Sequence, residues 1–181
     1  MAGVRLLADK GTTAWLLPAL PEDPENPTVE EVNAGQDISC VVAADFNIGA
    51  GAPTTTEDGA LCEGANRQVP TAATHEATIN AIRFYNPETR QVDVESDFFF
   101  QAVKEFGSEV VVAVRDGGKD PRKFPEAVAG DEISVYSLIS GGAGRAADRT
   151  GYQKRLIHVT VQDAYEDKWV GGEAPAATPA A

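Results

Sequence analysis

Short apolar runs, each cut off by proline, glycine or acidic residues, make up most of this chain, and one stretch repeats its apolar residues at a helical spacing. Thr12 to Leu17 (TTAWLL) is β-branched and aromatic and is stopped by Pro18, which predicts a strand. A Pro-rich acidic connector, PALPEDPENP, follows. In PTVEEVNAG, Thr28 stands three residues before Glu31, the spacing of a capping box, and Gly35 is placed to end a short helix in a left-handed turn. Ile38 to Ala44 is apolar and short enough for a strand buried on both faces. From residue 45 to 74 the pattern collapses into Gly, Ala, Thr and Pro without a sustained period, and the expectation is a long loop.

Periodicity returns at Thr78 to Tyr85 (TINAIRFY), a predicted strand closed by Asn86 and Pro87. ESDFFFQAVKEFG then puts Phe99, Ala102, Val103 and Phe106 on one helical face, with Ser96 or Asp97 as cap and Gly107 as terminator. An aromatic stripe at that spacing reads as core packing. The last third predicts strands at EVVVAVR, DEISVYSLIS and KRLIHVTVQDAY, with the glycines at 141, 142 and 144 read as a flexible turn. Many strands and one substantial helix imply a β-rich class, all-β to α+β: a sandwich or barrel with one flanking helix. The expected organisation is a single domain over residues 1–170 with the 45–74 loop inserted, and a mobile tail over 171–181, where Gly, Ala and Pro have little apolar area to bury.

Composition changes the picture in one respect. The formal charge is −13, and no basic residue lies between Lys10 and Arg67, while Glu22, Asp23, Glu25, Glu30, Glu31, Asp37, Asp45, Glu57, Asp58 and Glu63 all do. Gripping phosphates needs clustered Lys and Arg, so tight nucleic-acid binding is disfavoured. Cys40 and Cys62 are too few for a disulfide framework and lack zinc-site spacing, and two buried free thiols are the expectation. No apolar stretch approaches the ~20 residues of a membrane helix, and the opening MAGVRLLADKG does not read as a secretory signal.

Catalytic chemistry finds little to work with. His75 beside Glu76 alternates away from it on a strand, and His158 sits in an alternating run with no second ligand at a metal spacing. The chain holds no G-x-S-x-G elbow, no P-loop, and no alternating acidic calcium loop in TEDGALCEG. The expectation is a non-enzyme without cofactor or metal.

The order of P-T-V-E-E-x-x-A-G before D-I-S-C, a Thr-rich stretch TTTEDGALCEG, the aromatic strand and helix, and A-G-D-E-I-S-V-Y before a long closing strand resembles the major tail tube proteins of siphophages infecting actinobacteria. That resemblance implies a β sandwich or barrel assembled into sixfold rings, stacked into a hollow virion tail through which genome DNA passes without specific binding. It implies self-association, contacts with tape-measure, tail terminator and distal tail proteins, no membrane, and synthesis in the host bacterial cytoplasm. On this reading the long loop docks on a neighbouring subunit or ring through Asn47, Thr54, Thr55, Thr56, Leu61 and Val69. Asp45, Glu57, Asp58 and Glu63 are candidates to line the lumen and repel phosphates. The alternatives are another virion β protein, a tail terminator or capsid decoration protein, or from a different class a small carbohydrate- or ligand-binding β module. A hydrolase comes third. Such a module concentrates Trp and Tyr, whereas Trp15 and Trp169 lie near opposite ends of this chain.

Overall fold

The computed structural model describes residues 11–58, 67–117, 119–146 and 150–172. Its elements run β1 (Thr13–Leu17), α1 (Val29–Asn33), β2 (Gln36–Asp37), β3 (Asn47–Ala50), β4 (Thr54–Asp58), β5 (Arg67–Ala72), β6 (His75–Ile82), α2 (Phe98–Val103), β7 (Glu109–Arg115), β8 (Glu132–Arg145) and β9 (Lys154–Trp169). Seven strands form one antiparallel sheet in the order β2-β1-β7-β8-β9-β6-β3, and among the described residues β4 and β5 pair only with each other. The β-rich, predominantly antiparallel architecture of the sandwich class is therefore present.

Strand alternation sorts the side chains onto two faces of this sheet. Val112, Val114, Tyr136 and Leu138 join Ile79, Ala81, Ile157 and the α2 residues Phe99 and Val103 in one core. The intervening Ala113, Ile133 and Val135 point the other way, packing with Trp15, Leu17, Val170 and the α1 residue Val32. Period-two side-chain placement on a sheet covered on both sides explains why these strands read as nearly continuous apolar runs.

Local chemistry fixes α1 as the sequence predicts. The Thr28 hydroxyl accepts from the Glu31 amide at 3.2 Å, and the Glu31 carboxylate accepts from the Thr28 amide at 2.9 Å, a complete capping box. The helix does not end in a left-handed glycine: its C-cap is Ala34 in the right-handed region. Gly35 serves instead by having no side chain, since a Cβ there would lie 2.7 Å from Leu17 Cδ2.

Several other expectations are corrected. Ile38 to Ala44 is not a strand but a turn, with Val42 N–H donating to Ile38 C=O at 3.2 Å. Ile38 and Val42 still face the core, because an i, i+4 pair and a short buried strand share the same apolar signature. The 45–74 stretch is not an irregular loop, since β3, β4 and β5 lie within it. Helix α2 stops at Val103, so Phe106 falls off its stripe and is 86% exposed beside Gly107, whose φ is +84. The glycines at 141, 142 and 144 are inside β8, where the pairing with β9 slips between Ser140 and Ala143 around Gly142 at φ +92. Cys40 is exposed. Cys62 and the tail from residue 173 onward lie outside the described residues.

Candidate assembly surface

Residues 51–58 and 67–74 form an arm. At its root the Gly51 amide donates to the Thr74 carbonyl at 2.8 Å, and the Thr74 hydroxyl donates to the Ala52 carbonyl at 2.5 Å, which brings the two ends of the arm side by side. Beyond the root, β4 and β5 pair from Thr54↔Ala72 to Asp58↔Arg67, with a register shift between Thr54 and Thr55. The Thr71 hydroxyl donates across the hairpin to the Thr54 carbonyl at 3.0 Å. Ala52 to Thr56 and Pro70 to Ala73 are exposed. β-branched threonines support an extended backbone, but small side chains on a two-stranded ribbon cannot build a core of their own.

The arm leaves the sheet through β3 and β6, which pair from Asn47↔Thr78 to Ala50↔His75. Here His75 Nε2 lies 3.9 Å from Glu166 Oε1 on β9, and the Tyr136 hydroxyl donates to that same oxygen at 3.3 Å. Burial, reinforced by the neighbouring Glu166 carboxylate, pushes the Tyr136 phenol up to about 12. Tyr136 therefore stays a neutral donor to Glu166, which stands beside the arm's root.

The assembly residues expected from sequence do not form one cluster. Thr54, Thr55 and Thr56 share β4, with Thr56 opposite Val69 on β5. Asn47 lies on the edge strand β3 of the main sheet, and Leu61 falls outside the described residues. Among the acidic candidates, Asp45 is exposed before β3 and accepts from Asn80 Nδ2 at 2.7 Å. Glu57 and Asp58 are at the far end of β4, and Glu63 lies outside the described residues. His75 has its role at the arm's root, while His158 is exposed on β9 over Gly144.

A second open feature escaped sequence reading. β9 is 16 residues long and pairs with β8 along most of its length, but on its other side β6 covers only Lys154 to Ile157. Among the described residues no strand pairs with that edge of β9 beyond Ile157. The predicted strand KRLIHVTVQDAY ended at Tyr165, four residues short of the end of β9 at Trp169. An open groove of about 630 Å³ runs between the Ser39–Phe46 turn and Asp120–Arg122. No helix among the described residues is long and apolar enough to cross a membrane.

A sheet with a core on each face, a hairpin arm and a strand edge left unpaired among the described residues are features suited to contact with other protein chains. The chain belongs to the phage tail tube protein family, whose sequence model matches residues 1–172. No curated protein sequence matches it. It is accordingly a structural subunit of the virion tail, from a family that self-assembles into a tube with other tail proteins.

Proposed function

We propose that the chain forms rings of six, stacked into the tail tube of a siphophage infecting an actinobacterium, and that genome DNA leaves through the bore. The observation that carries this reading is the arm: a hairpin closed at its root by Gly51 and Thr74, exposed from Ala52 to Thr56 and from Pro70 to Ala73, and attached to a sheet whose two cores, among the described residues, do not include it. Residues 1–170 act as one domain, and the arm, with Thr54, Thr55, Thr56, Leu61 and Val69, docks on a neighbouring subunit or ring. Binding there offsets the cost of holding a ribbon that has no core. Asn47 contributes from the sheet edge, and the open edge of β9 is available for strand addition between neighbours within a ring. Asp45, Glu57, Asp58 and Glu63 face the bore, where a negative wall keeps phosphates from sticking. Tape-measure, tail terminator and distal tail proteins set the tube's length and ends.

Negative-stain electron microscopy of concentrated purified protein tests this reading. Open-ended hollow stacks are expected. Single closed rings that never stack would point to a terminator, and protein that stays monomeric at every concentration and salt would refute the tube.

A further inference from the structure

The two ends of the longest strand carry opposite charge. Where β8 ends and β9 begins, Arg145 and Arg155 occupy directly opposed positions on adjacent strands, and Lys154 precedes Arg155 on β9. Like charges so placed repel one another. Among the described residues neither arginine is ion-paired, and the carboxylates on the flanking elements are engaged elsewhere: Asp97 by Arg83 at 2.9 Å and Asp45 by Asn80. Arg145, Lys154 and Arg155 line a recess of about 310 Å³ whose rim holds Tyr152, 77% exposed. An exposed aromatic beside arginines is the composition of an interface anchor, not of a solvated surface.

The other end of β9 lies up to about 50 Å away at a rise of ~3.3 Å per residue. There the acidic connector is fastened to the strand's exit: Gly171 N–H donates to Pro27 C=O at 2.9 Å, and Lys168 pairs with Glu25. This end presents Glu22, Asp23 and Glu30, exposed and, among the described residues, without a cation. The β7–β8 loop at the same end adds little net charge, since Arg115 and Lys119 are both held by Asp131 and Arg122 and Lys123 offset Asp116 and Asp120.

We infer that the recess lined by Arg145, Arg155 and Tyr152 at the meeting ends of β8 and β9 is a docking surface for a second copy of this chain, and that it receives the acidic connector around Glu22 and Glu30. Placing complementary surfaces at opposite ends gives a head-to-tail contact, which propagates a filament when its rotation does not close into a ring. The contact rests on the tube reading but is separate from the arm. DNA is the poorer partner for this recess, because the chain's charge of −13 repels a polyanion at long range.

Charge reversal tests it. Arg145→Glu/Arg155→Glu should raise the concentration at which polymer appears by at least about tenfold in sedimentation. Glu22→Lys/Glu30→Lys should do the same, and combining all four should restore assembly. Arg155→Glu alone, which converts a repulsive cross-strand pair to an attractive one, should raise the monomer's Tm by about 1 to 4 °C, confirming that lost assembly is not lost folding. If wild-type and the arginine double variant polymerise alike, the docking surface is wrong and the tube stands. Failure of the fourfold variant to recover would overturn the pairing of these two ends. Binding of duplex DNA by the wild-type recess, abolished by the arginine reversals, would replace the second copy with nucleic acid. A wild-type chain that never polymerises would overturn both readings together.

Discussion

Arg115 Nη1 meets Asp131 Oδ2 at 2.8 Å, with 0% of the arginine and 8% of the aspartate side chain exposed. The guanidinium also donates to the carbonyls of Glu126 and Phe124 and to the Thr13 hydroxyl, and it lies over the Trp15 ring. One buried cation thus fastens the long β7–β8 connection to the sheet's end. Removing its counter-charge leaves that cation unpaired, so Asp131→Ala should destabilise the monomer by about 3 to 5 kcal/mol in equilibrium denaturation. Arg115→Met combined with Asp131→Ala should cost less than Asp131→Ala alone, because no buried charge is then stranded. Equal or greater loss in the double variant would show that shape and not charge dominates there.

The same carboxylate gives the fold an acid limit. Burial favours its protonated form, but the Lys119 ammonium, the Val128 amide and Arg115 outweigh that and hold it below the usual aspartate range. The Thr28 hydroxyl and the Glu22 and Thr28 amides likewise lower Glu31. A carboxyl with a depressed folded pKa stabilises the native state above its unfolded value, about 4, and loses that contribution as pH falls through the folded value. Thermal melting from about pH 6 to pH 2 should show Tm falling below about pH 4, with a shallower fall in Asp131→Asn. An unchanged acid slope in that variant would remove Asp131 from the explanation.

Two aromatic residues on one predicted helix face should part company. Phe99 is 1% exposed in the main core, and Phe99→Ala should cost about 3 to 5 kcal/mol. Phe106 is 86% exposed, and Phe106→Ala should change monomer stability by less than about 0.5 kcal/mol. Denaturant midpoints of the two variants decide between this and a helix continuing to Phe106.

What could be read from the sequence divides along physical lines. Strands β1, β7 and β8 and the α1 cap announced themselves, because alternation, proline stops and the Thr28–Glu31 spacing are local signals. The Ile38–Val42 turn did not, since four apolar residues in a row fit a strand or a helical turn equally well. Helix α2 was placed correctly but made too long: nothing local distinguishes Phe106 from Phe99 until the chain turns to enter β7. The arm was hidden most completely. Its strands pair with each other, and Thr54 to Thr56 and Pro70 to Ala72 are exposed, so TTTED and RQVPTA carry none of the alternation that burial imposes elsewhere. The opposed pair Arg145 and Arg155 was equally invisible, because cross-strand register depends on how the glycine-rich slip in β8 resolves.

The central claim is that the arm connects one subunit to the next and is dispensable for the fold. Because Gly51 and Thr74 are hydrogen-bonded neighbours, residues 52 to 73 can be replaced by a short Gly/Ser linker without stretching the root. Circular dichroism and melting of that variant, with electron microscopy and sedimentation at matched concentration, measure fold and assembly separately. The expected result is a folded monomer that forms no tubes. Long tubes from the shortened chain, or a chain that no longer folds, would contradict the claim.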